Sequence, residues 1–200
     1  PRYPAGATAG GIPLRPLPHS QSEVEAVGDV VLTGAKATEA ALRAALRRRS
    51  AWSAVHLACH GVIDPERPRR SALALTPTAE ADGRLTVEEV FALEIPADLV
   101  ALSACESGLG RARLGEGIVG FTRAFFFAGA RRALVSLWMV DDEATSALMR
   151  RFYEIWRTPG ADGPPSTAAA LREAQAWIRG HEKWRHPSYW AAWSLWGVAD

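Results

Sequence analysis

Two short segments of the chain each place a reactive side chain between an apolar run and a glycine. The first ends in Cys59, His60 and Gly61, and the second continues as Cys105, Glu106, Ser107 and glycine. A thiol becomes an effective nucleophile as the thiolate, and an imidazole that titrates near neutrality exchanges a proton with it. The pair His60 and Cys105 therefore predicts nucleophilic catalysis of acyl transfer, with the N–H groups of Gly61 and Cys105 as the oxyanion hole.

The elements that must position this pair alternate along the sequence. Short apolar runs are typical of strands covered on both faces, and amphipathic segments between them predict helices. The predicted strands are 30–32, 55–58, 99–103 and 134–137, and the predicted helices are 20–27, 38–49, 86–92, 115–129, 142–157 and 165–180. This alternation predicts an α/β fold with a parallel sheet between helices. Catalytic groups gather at the carboxyl edge of such a sheet, so His60 and Cys105 are expected to meet there.

Other chemical roles for the histidines and cysteines of this region have less support from the sequence. Cys59 faces opposite to His60 if both lie on one strand, and we interpret it as a core residue. His56 falls on the same strand face as His60, but the spacing of the histidines and cysteines matches none of the usual zinc patterns. The sequence therefore predicts no metal and no cofactor.

The composition limits the classes of binding partner and the cellular compartment that the chain is expected to have. The 200 residues contain 23 Lys and Arg against 22 Asp and Glu, giving a formal charge of +1. This balance provides no global field that would hold the chain on nucleic acid or on a membrane surface. The apolar stretches are shorter than the roughly 20 residues that span a bilayer. Two cysteines make no disulfide framework, which indicates a reducing, cytoplasmic location.

Residues 1–18 are rich in proline and glycine, a composition that resists helix and central strand. We interpret them as a linker or an N-terminal arm, followed by one domain at 19–200. A chain that begins with Pro is expected to be a fragment or a processed product. The linker-like start also predicts a sensor or repeat domain, or a regulatory partner protein, acting on this domain.

Four sequence blocks carry a family resemblance that covers about residues 19–197. They are VHLACHGVIDPERP, LVALSACESGLG, GEGIVGFTRAFFFAGARRALVSLWMVDDEAT and HPSYWAAWSLWG. Together and in this order they resemble the CHAT family, caspase-like peptidase domains often found behind tetratricopeptide or other partner-binding repeats. The resemblance implies a caspase-like three-layer α/β/α sandwich with a mainly parallel central sheet. A first strand that the family places ahead of this region has no clear counterpart in 1–18, so one sheet edge is expected to be absent or supplied by missing sequence.

The resemblance implies His60 as the catalytic histidine, Cys105 as the nucleophile and Gly61 at the oxyanion hole. His60 precedes Cys105 by 45 residues, and the corresponding separation in caspases is about 50. Peptidases of this kind need no metal, and their histidine acts mainly as the acid for the leaving amine. The implied activity is that of a cysteine endopeptidase on a protein or peptide substrate. The alternative is a catalytically silent interaction module that keeps the fold.

By the same resemblance, the segment after the strand ending at residue 137 lines the substrate cleft. Trp138 would contact the substrate, and Asp141 or Asp142 would accept a basic residue before the cut. Asp141 and Asp142 also suit the start of a helix, where carboxylates cap free N–H groups. Glu106 fits either the wall of the primary pocket or a structural ion pair.

The loop after Cys105 has two interpretations. Arg111 or Arg113 is a candidate self-cleavage site, because caspase-type enzymes often carry an activation segment at this position. The loop is short, and its glycines equally suit a turn into the next helix.

Overall fold

The computed structural model describes residues 1–9, 12–64, 66–103, 116–160, 163 and 165–199. Within these ranges the strands are Thr8–Ala9 (β1), Ile12–Pro13 (β2), Trp52–Ala58 (β3), His60–Val62 (β4), Ala72–Ala74 (β5), Arg84–Thr86 (β6), Ala97–Ser103 (β7), Arg132–Ser136 (β8) and Trp193–Gly197 (β9). The α-helices are Pro18–Val27 (α1), Glu39–Leu46 (α2), Val87–Phe91 (α3), Glu116–Phe127 (α4), Asp142–Arg157 (α5) and Thr167–Arg179 (α6).

The central sheet has the order β3-β7-β8-β9. β3, β7 and β8 are parallel neighbours, and β9 runs antiparallel along β8. Alternate side chains of each strand enter one of two cores: Val100 and Leu102 face α3 and α4, whereas Leu99 and Ala101 face α1, α5 and α6. Helices therefore cover both faces of a mainly parallel sheet. This confirms the predicted α/β class and the three-layer sandwich.

The strand predicted at residues 30–32 is wrong. Residues 28–33 are irregular in the structure, although Val30, Val31 and Leu32 are partly buried. A strand requires a neighbour for its backbone groups, and among the described residues no strand pairs with this run. Instead, the run lines a cavity opposite β3.

A three-stranded antiparallel ribbon, β4-β5-β6, leaves the sheet directly after β3. Its closing turn brings the Leu75 N–H to 2.7 Å from the Gly83 carbonyl oxygen. Gly83 has a φ of +76°, in the left-handed region that favours glycine. The ribbon begins at His60, so this turn stabilises the element that carries the predicted catalytic histidine.

Within the described residues, no helix combines the length and apolar character that crossing a bilayer requires.

Replacing Gly83 with alanine is expected to lower the free energy of unfolding by about 2–4 kcal/mol, measured by urea denaturation. The added Cβ would lie 2.7 Å from the Leu75 carbonyl oxygen, in addition to adopting an unfavourable φ. Gly34→Ala is the matched control, because Gly34 has a φ of +53° but no atom within 4 Å of the added carbon. The control is expected to lose about 1 kcal/mol. Equal losses in the two variants would contradict a close packing role for Gly83.

Candidate functional site

His60 is held by a backbone carbonyl from the N-terminal part of the chain. It is the first residue of β4, only 8% exposed, and its Nε2 lies 2.6 Å from the Arg15 carbonyl oxygen. A carbonyl oxygen only accepts hydrogen bonds, so Nε2 carries the proton and donates it. In the neutral ring Nδ1 is then the basic nitrogen, the one able to take a proton from a nucleophile.

Tyr3 also contacts this histidine. The ring centroids of Tyr3 and His60 are 5.5 Å apart, and the Tyr3 hydroxyl donates to the Ala74 carbonyl oxygen at 3.0 Å. Burial raises the pKa of the Tyr3 hydroxyl, so it stays a donor across the physiological range. The backbone N–H of Arg2 bonds the Thr76 hydroxyl at 2.8 Å. The described part of residues 1–18 therefore lies along the ribbon as an arm and fixes the orientation of His60.

The pairing of β3 with β7 determines where the segment that contains Cys105 begins relative to His60. Ala58 and Ser103, the last residues of β3 and β7, are paired neighbours. His60 follows Ala58 by two residues, and Cys105 follows Ser103 by two. Cys105, together with Glu106, lies outside the described residues, so the meeting of His60 and Cys105 stays a prediction.

The candidate self-cleavage residues Arg111 and Arg113 also lie outside the described residues, and their role stays a prediction.

Cys59 has the properties of a core residue. It is 2% exposed, packs in the core on the α3 and α4 side of the sheet, and is a free thiol. Burial raises its pKa to about 12. At neutral pH the thiol is protonated and shielded from solvent, which excludes Cys59 as a nucleophile in the folded chain.

His56 belongs to a buried polar cluster that sequence reasoning missed. Its Nε2 lies 2.7 Å from Glu23 Oε1 and its Nδ1 lies 3.2 Å from the Tyr153 hydroxyl. Glu23 is 1% exposed, and the only sequence signal was its position four residues before Val27 on the buried side of α1. The cluster ties α1 and α5 to β3. His56 and His60 lie in different strands and contact different partners, contrary to the expectation that they share a strand face.

Within the described ranges, no three His, Cys, Asp or Glu side chains are grouped in a way that could hold a metal ion.

Gly61 and Trp138 have defined places near the strand ends. Gly61 is buried in β4, where it pairs with Leu73 of β5. Trp138 is half-buried two residues after β8, and its Nε1 donates to the Ser188 carbonyl oxygen at 3.1 Å. In sheet order, the loop with Trp138 is two strands away from β3. Both residues therefore follow carboxyl ends of parallel strands, the edge at which the sequence predicts the site.

The two candidate pocket aspartates both bond to backbone. The exposed Asp141 caps α5 by accepting the Ala144 N–H at 2.9 Å. Asp142 accepts the N–H of His19 at 2.9 Å, which joins the start of α1 to the start of α5. Each carboxylate keeps further acceptor positions, because an ionised carboxylate offers about four lone-pair sites. These hydrogen bonds give both aspartates a structural role.

Comparison with known proteins gives one family and two curated relatives. Residues 2–198 match the CHAT domain. Tetratricopeptide repeat protein 28 of Homo sapiens is 33% identical to this chain over 113 residues, which is 56% of the chain and 4% of that protein. The Mus musculus protein of the same name matches with the same identity and coverage. The chain therefore corresponds to a small part of these much longer relatives.

Cys59 is expected to resist alkylation in the folded chain and to react once the chain is unfolded. Iodoacetamide is added at pH 8 with and without denaturant, and the modified residues are identified by peptide mass mapping. With a pKa of about 12, the thiolate fraction of Cys59 at pH 8 is very small, and burial excludes the reagent. Rapid native modification of Cys59 would contradict its placement in the core.

Proposed function

Because the chain belongs to the CHAT-domain family, we propose that it is a cysteine endopeptidase in which Cys105 is the nucleophile and His60 the proton-transfer group. The family is related to caspase-like peptidases. The observation that carries the proposal is the state of His60. Its Nε2 proton is committed to the Arg15 carbonyl, which makes Nδ1 the basic nitrogen at the edge of the sheet where the Cys105 segment begins.

In the proposed reaction Cys105 forms the covalent bond to the substrate, and His60 moves the protons. Nδ1 of His60 takes the thiol proton as Cys105 Sγ attacks the peptide carbonyl carbon. The tetrahedral intermediate collapses with release of the amine, which takes the proton from the imidazolium. A water molecule then hydrolyses the thioester, with His60 again moving the proton. The N–H groups of Gly61 and Cys105 are the proposed donors to the oxyanion.

The arm supplies the hydrogen bond that keeps His60 oriented through the cycle. In the imidazolium form both ring nitrogens donate, and the Arg15 carbonyl accepts the Nε2 proton in either state. A fixed ring costs no reorganisation at the moment of proton transfer. Arg15 thus acts through its backbone as a positioning residue.

The proposed substrate is a protein or peptide with a basic residue before the cut. Glu106, Trp138, Asp141 and Asp142 are the proposed pocket residues. The spare acceptor capacity of Asp141 and Asp142 supports this assignment, since a Lys or Arg side chain provides several donors. The name of the curated relatives, a tetratricopeptide repeat protein, supports a further proposal that an attached repeat region or a partner regulates the domain. We propose a cytoplasmic location, because the two cysteines make no disulfide framework.

A second candidate function is a silent interaction module. The burial of His60 under Tyr3 favours it, because a covered histidine is less accessible to substrate than an open one. The two candidate functions differ in the reactivity of Cys105: the peptidase requires a reactive thiol, and the silent module does not.

Labelling with an electrophilic peptide that ends in Arg separates these candidates. The wild-type protein is expected to gain one probe at Cys105, identified by mass mapping, and Cys105→Ala to gain none. His60→Ala is expected to label at least about 100-fold more slowly, because it removes the proton acceptor. Cys59→Ala is the matched control and is expected to label as wild type. Absence of labelling, both in the isolated chain and in the full-length protein, would contradict the peptidase and support the silent module.

Substitutions of Tyr3 test whether the arm positions His60. Tyr3→Ala removes the ring that packs on the histidine, and the probe-labelling rate is expected to fall about 10- to 100-fold. Tyr3→Phe keeps the ring and loses the hydroxyl, which bonds the Ala74 carbonyl and the His60 backbone, so its rate is expected to stay within about threefold of wild type. Thermal unfolding of both variants separates a rate effect from loss of fold. A Tyr3→Ala protein that labels at the wild-type rate would contradict the role of the arm.

A further inference from the structure

The loop after β8, which carries Trp138, is tied at two points to the C-terminal part of the chain. The indole Nε1 of Trp138 donates to the Ser188 carbonyl oxygen at 3.1 Å. The N–H of the preceding residue, Leu137, donates to the Ala192 carbonyl oxygen at 2.9 Å. An indole side chain turns about two rotatable bonds, and a hydrogen bond from Nε1 to a fixed acceptor restricts both. The direction in which Trp138 points therefore depends on whether the Ser188 carbonyl is itself fixed.

His186 fixes the turn that carries this carbonyl. Pro187–Tyr189 is a single 3₁₀ turn, and His186 is its N-cap. Nδ1 of His186 accepts the Ser188 N–H at 3.3 Å and lies 2.8 Å from the Ser188 hydroxyl oxygen. Because a backbone N–H only donates, Nδ1 is the unprotonated nitrogen of the ring, and the hydroxyl donates to it as well. Both donors of Ser188 are thus held by one ring, and its carbonyl is the group that accepts from Trp138.

Hydrogen bonds also anchor the chain that follows this turn. Gln175 of α6 donates from Nε2 to the carbonyl oxygens of Trp190 and Trp193, at 3.2 and 3.1 Å. The Ala191 N–H donates to the Pro187 carbonyl oxygen at 2.8 Å. The turn itself lies largely at the surface. A surface turn of three residues has little core packing to hold it, so its hydrogen bonds decide its conformation.

The preceding turn of the chain provides a comparison. Glu182–Trp184 is also a 3₁₀ turn with a histidine, His181, at its N-cap, but the His181 side chain makes no capping hydrogen bond. The His181 ring instead contacts the rings of Trp177 and Trp184, at centroid distances of 4.3 and 5.5 Å. A histidine before such a turn therefore does not cap it as a rule, and of these two turns the capped one is the turn that holds Trp138.

We propose that His186 is a positioning residue of the substrate cleft, which acts through the Ser188 carbonyl to fix the indole of Trp138. The inference rests on the proposed peptidase function, in which Trp138 contacts the substrate. A side chain that is already fixed loses little conformational freedom when substrate binds, so fixing the indole strengthens binding. His186 therefore affects the binding of substrate more than the chemical step at Cys105 and His60.

Proton–nitrogen NMR of the isotope-labelled protein tests the position of Trp138. Each of the eight tryptophans gives one indole N–H signal, and the signal that disappears in Trp138→Phe belongs to Trp138. In His186→Ala this signal is expected to move upfield and to exchange faster with water, because its acceptor is no longer held. His186→Asn is expected to keep the wild-type signal, since asparagine is a good N-cap. His181→Ala is the matched control and is expected to leave the signal in place. A Trp138 signal that is unchanged in His186→Ala would overturn the proposal.

Labelling of Cys105 by the electrophilic peptide that ends in Arg measures the consequence for binding. The labelling rate is followed against probe concentration, which separates the half-saturating concentration from the maximal rate. His186→Ala is expected to raise the half-saturating concentration about 3- to 10-fold, as for the loss of one hydrogen bond, and to keep the maximal rate within about twofold. A half-saturating concentration that stays at the wild-type value, or a loss confined to the maximal rate, would contradict the proposal.

A double variant shows whether His186 acts through the indole. Trp138→Phe keeps an aromatic ring and removes the Nε1 donor, so it is expected to raise the half-saturating concentration to a similar extent. Adding His186→Ala to Trp138→Phe is expected to cause no further loss, because the hydrogen bond is already absent. Additive losses would mean that His186 supports the cleft by another route, and the proposal would be wrong. If the wild-type protein does not label at Cys105, the peptidase proposal fails, and the NMR comparison still decides whether His186 holds Trp138.

Discussion

The parallel pairing of β3 with β7 is the constraint on which the rest of the molecule depends. It joins the two strands through six residue pairs in one register, from Trp52 with Ala97 to Ala58 with Ser103. Because both strands end at the same level, the residues that follow them start from one edge of the sheet. The two cores then form on opposite faces of this pair, and the helices that cover them complete the three layers. A slip of one residue would exchange the faces of every side chain on β3.

The elements predictable from sequence are those with a local signal. α5 was predicted with its observed bounds, since Asp141 is a good capping residue and apolar residues recur at helical spacing. β7 and β8 followed from continuous apolar runs. The ribbon β4-β5-β6 consists of strands of three residues that pair at a distance, and such strands are too short to show a pattern. The run at residues 30–32 has a strand composition, but composition alone does not supply a neighbouring strand.

The candidate site likewise combines features that a single sequence segment reveals with contacts between distant segments. His60 is predicted as a catalytic candidate because it follows an apolar strand, which a single segment reveals. Its hydrogen bond to the Arg15 carbonyl joins residues 45 apart, and its contact with Tyr3 depends on the path of the arm. The Glu23 and His56 pair is likewise a long-range contact between a helix and a strand. Sequence thus predicts a candidate catalytic histidine, whereas the groups that orient it are found only in the fold.

The N-terminal arm connects these observations. Its residues bond the ribbon through Arg2 and Tyr3, and its far end supplies the carbonyl to His60. A proline- and glycine-rich composition, which resists regular structure, is compatible with a path of this kind because the arm's contacts come mainly from single side chains and carbonyls. The orientation of His60 therefore depends on a segment that lies far from it in sequence.

The most direct test of the proposed catalytic pair, His60 and Cys105, is a crystal structure of the protein with a peptide electrophile bound covalently to Cys105. His60 Nδ1 is expected to lie within about 4 Å of the modified sulfur or of the leaving-group position. Nε2 is expected to donate still to the Arg15 carbonyl. A bound electrophile on Cys105 with His60 turned away, or with Nδ1 bonded to the arm instead of Nε2, would contradict it.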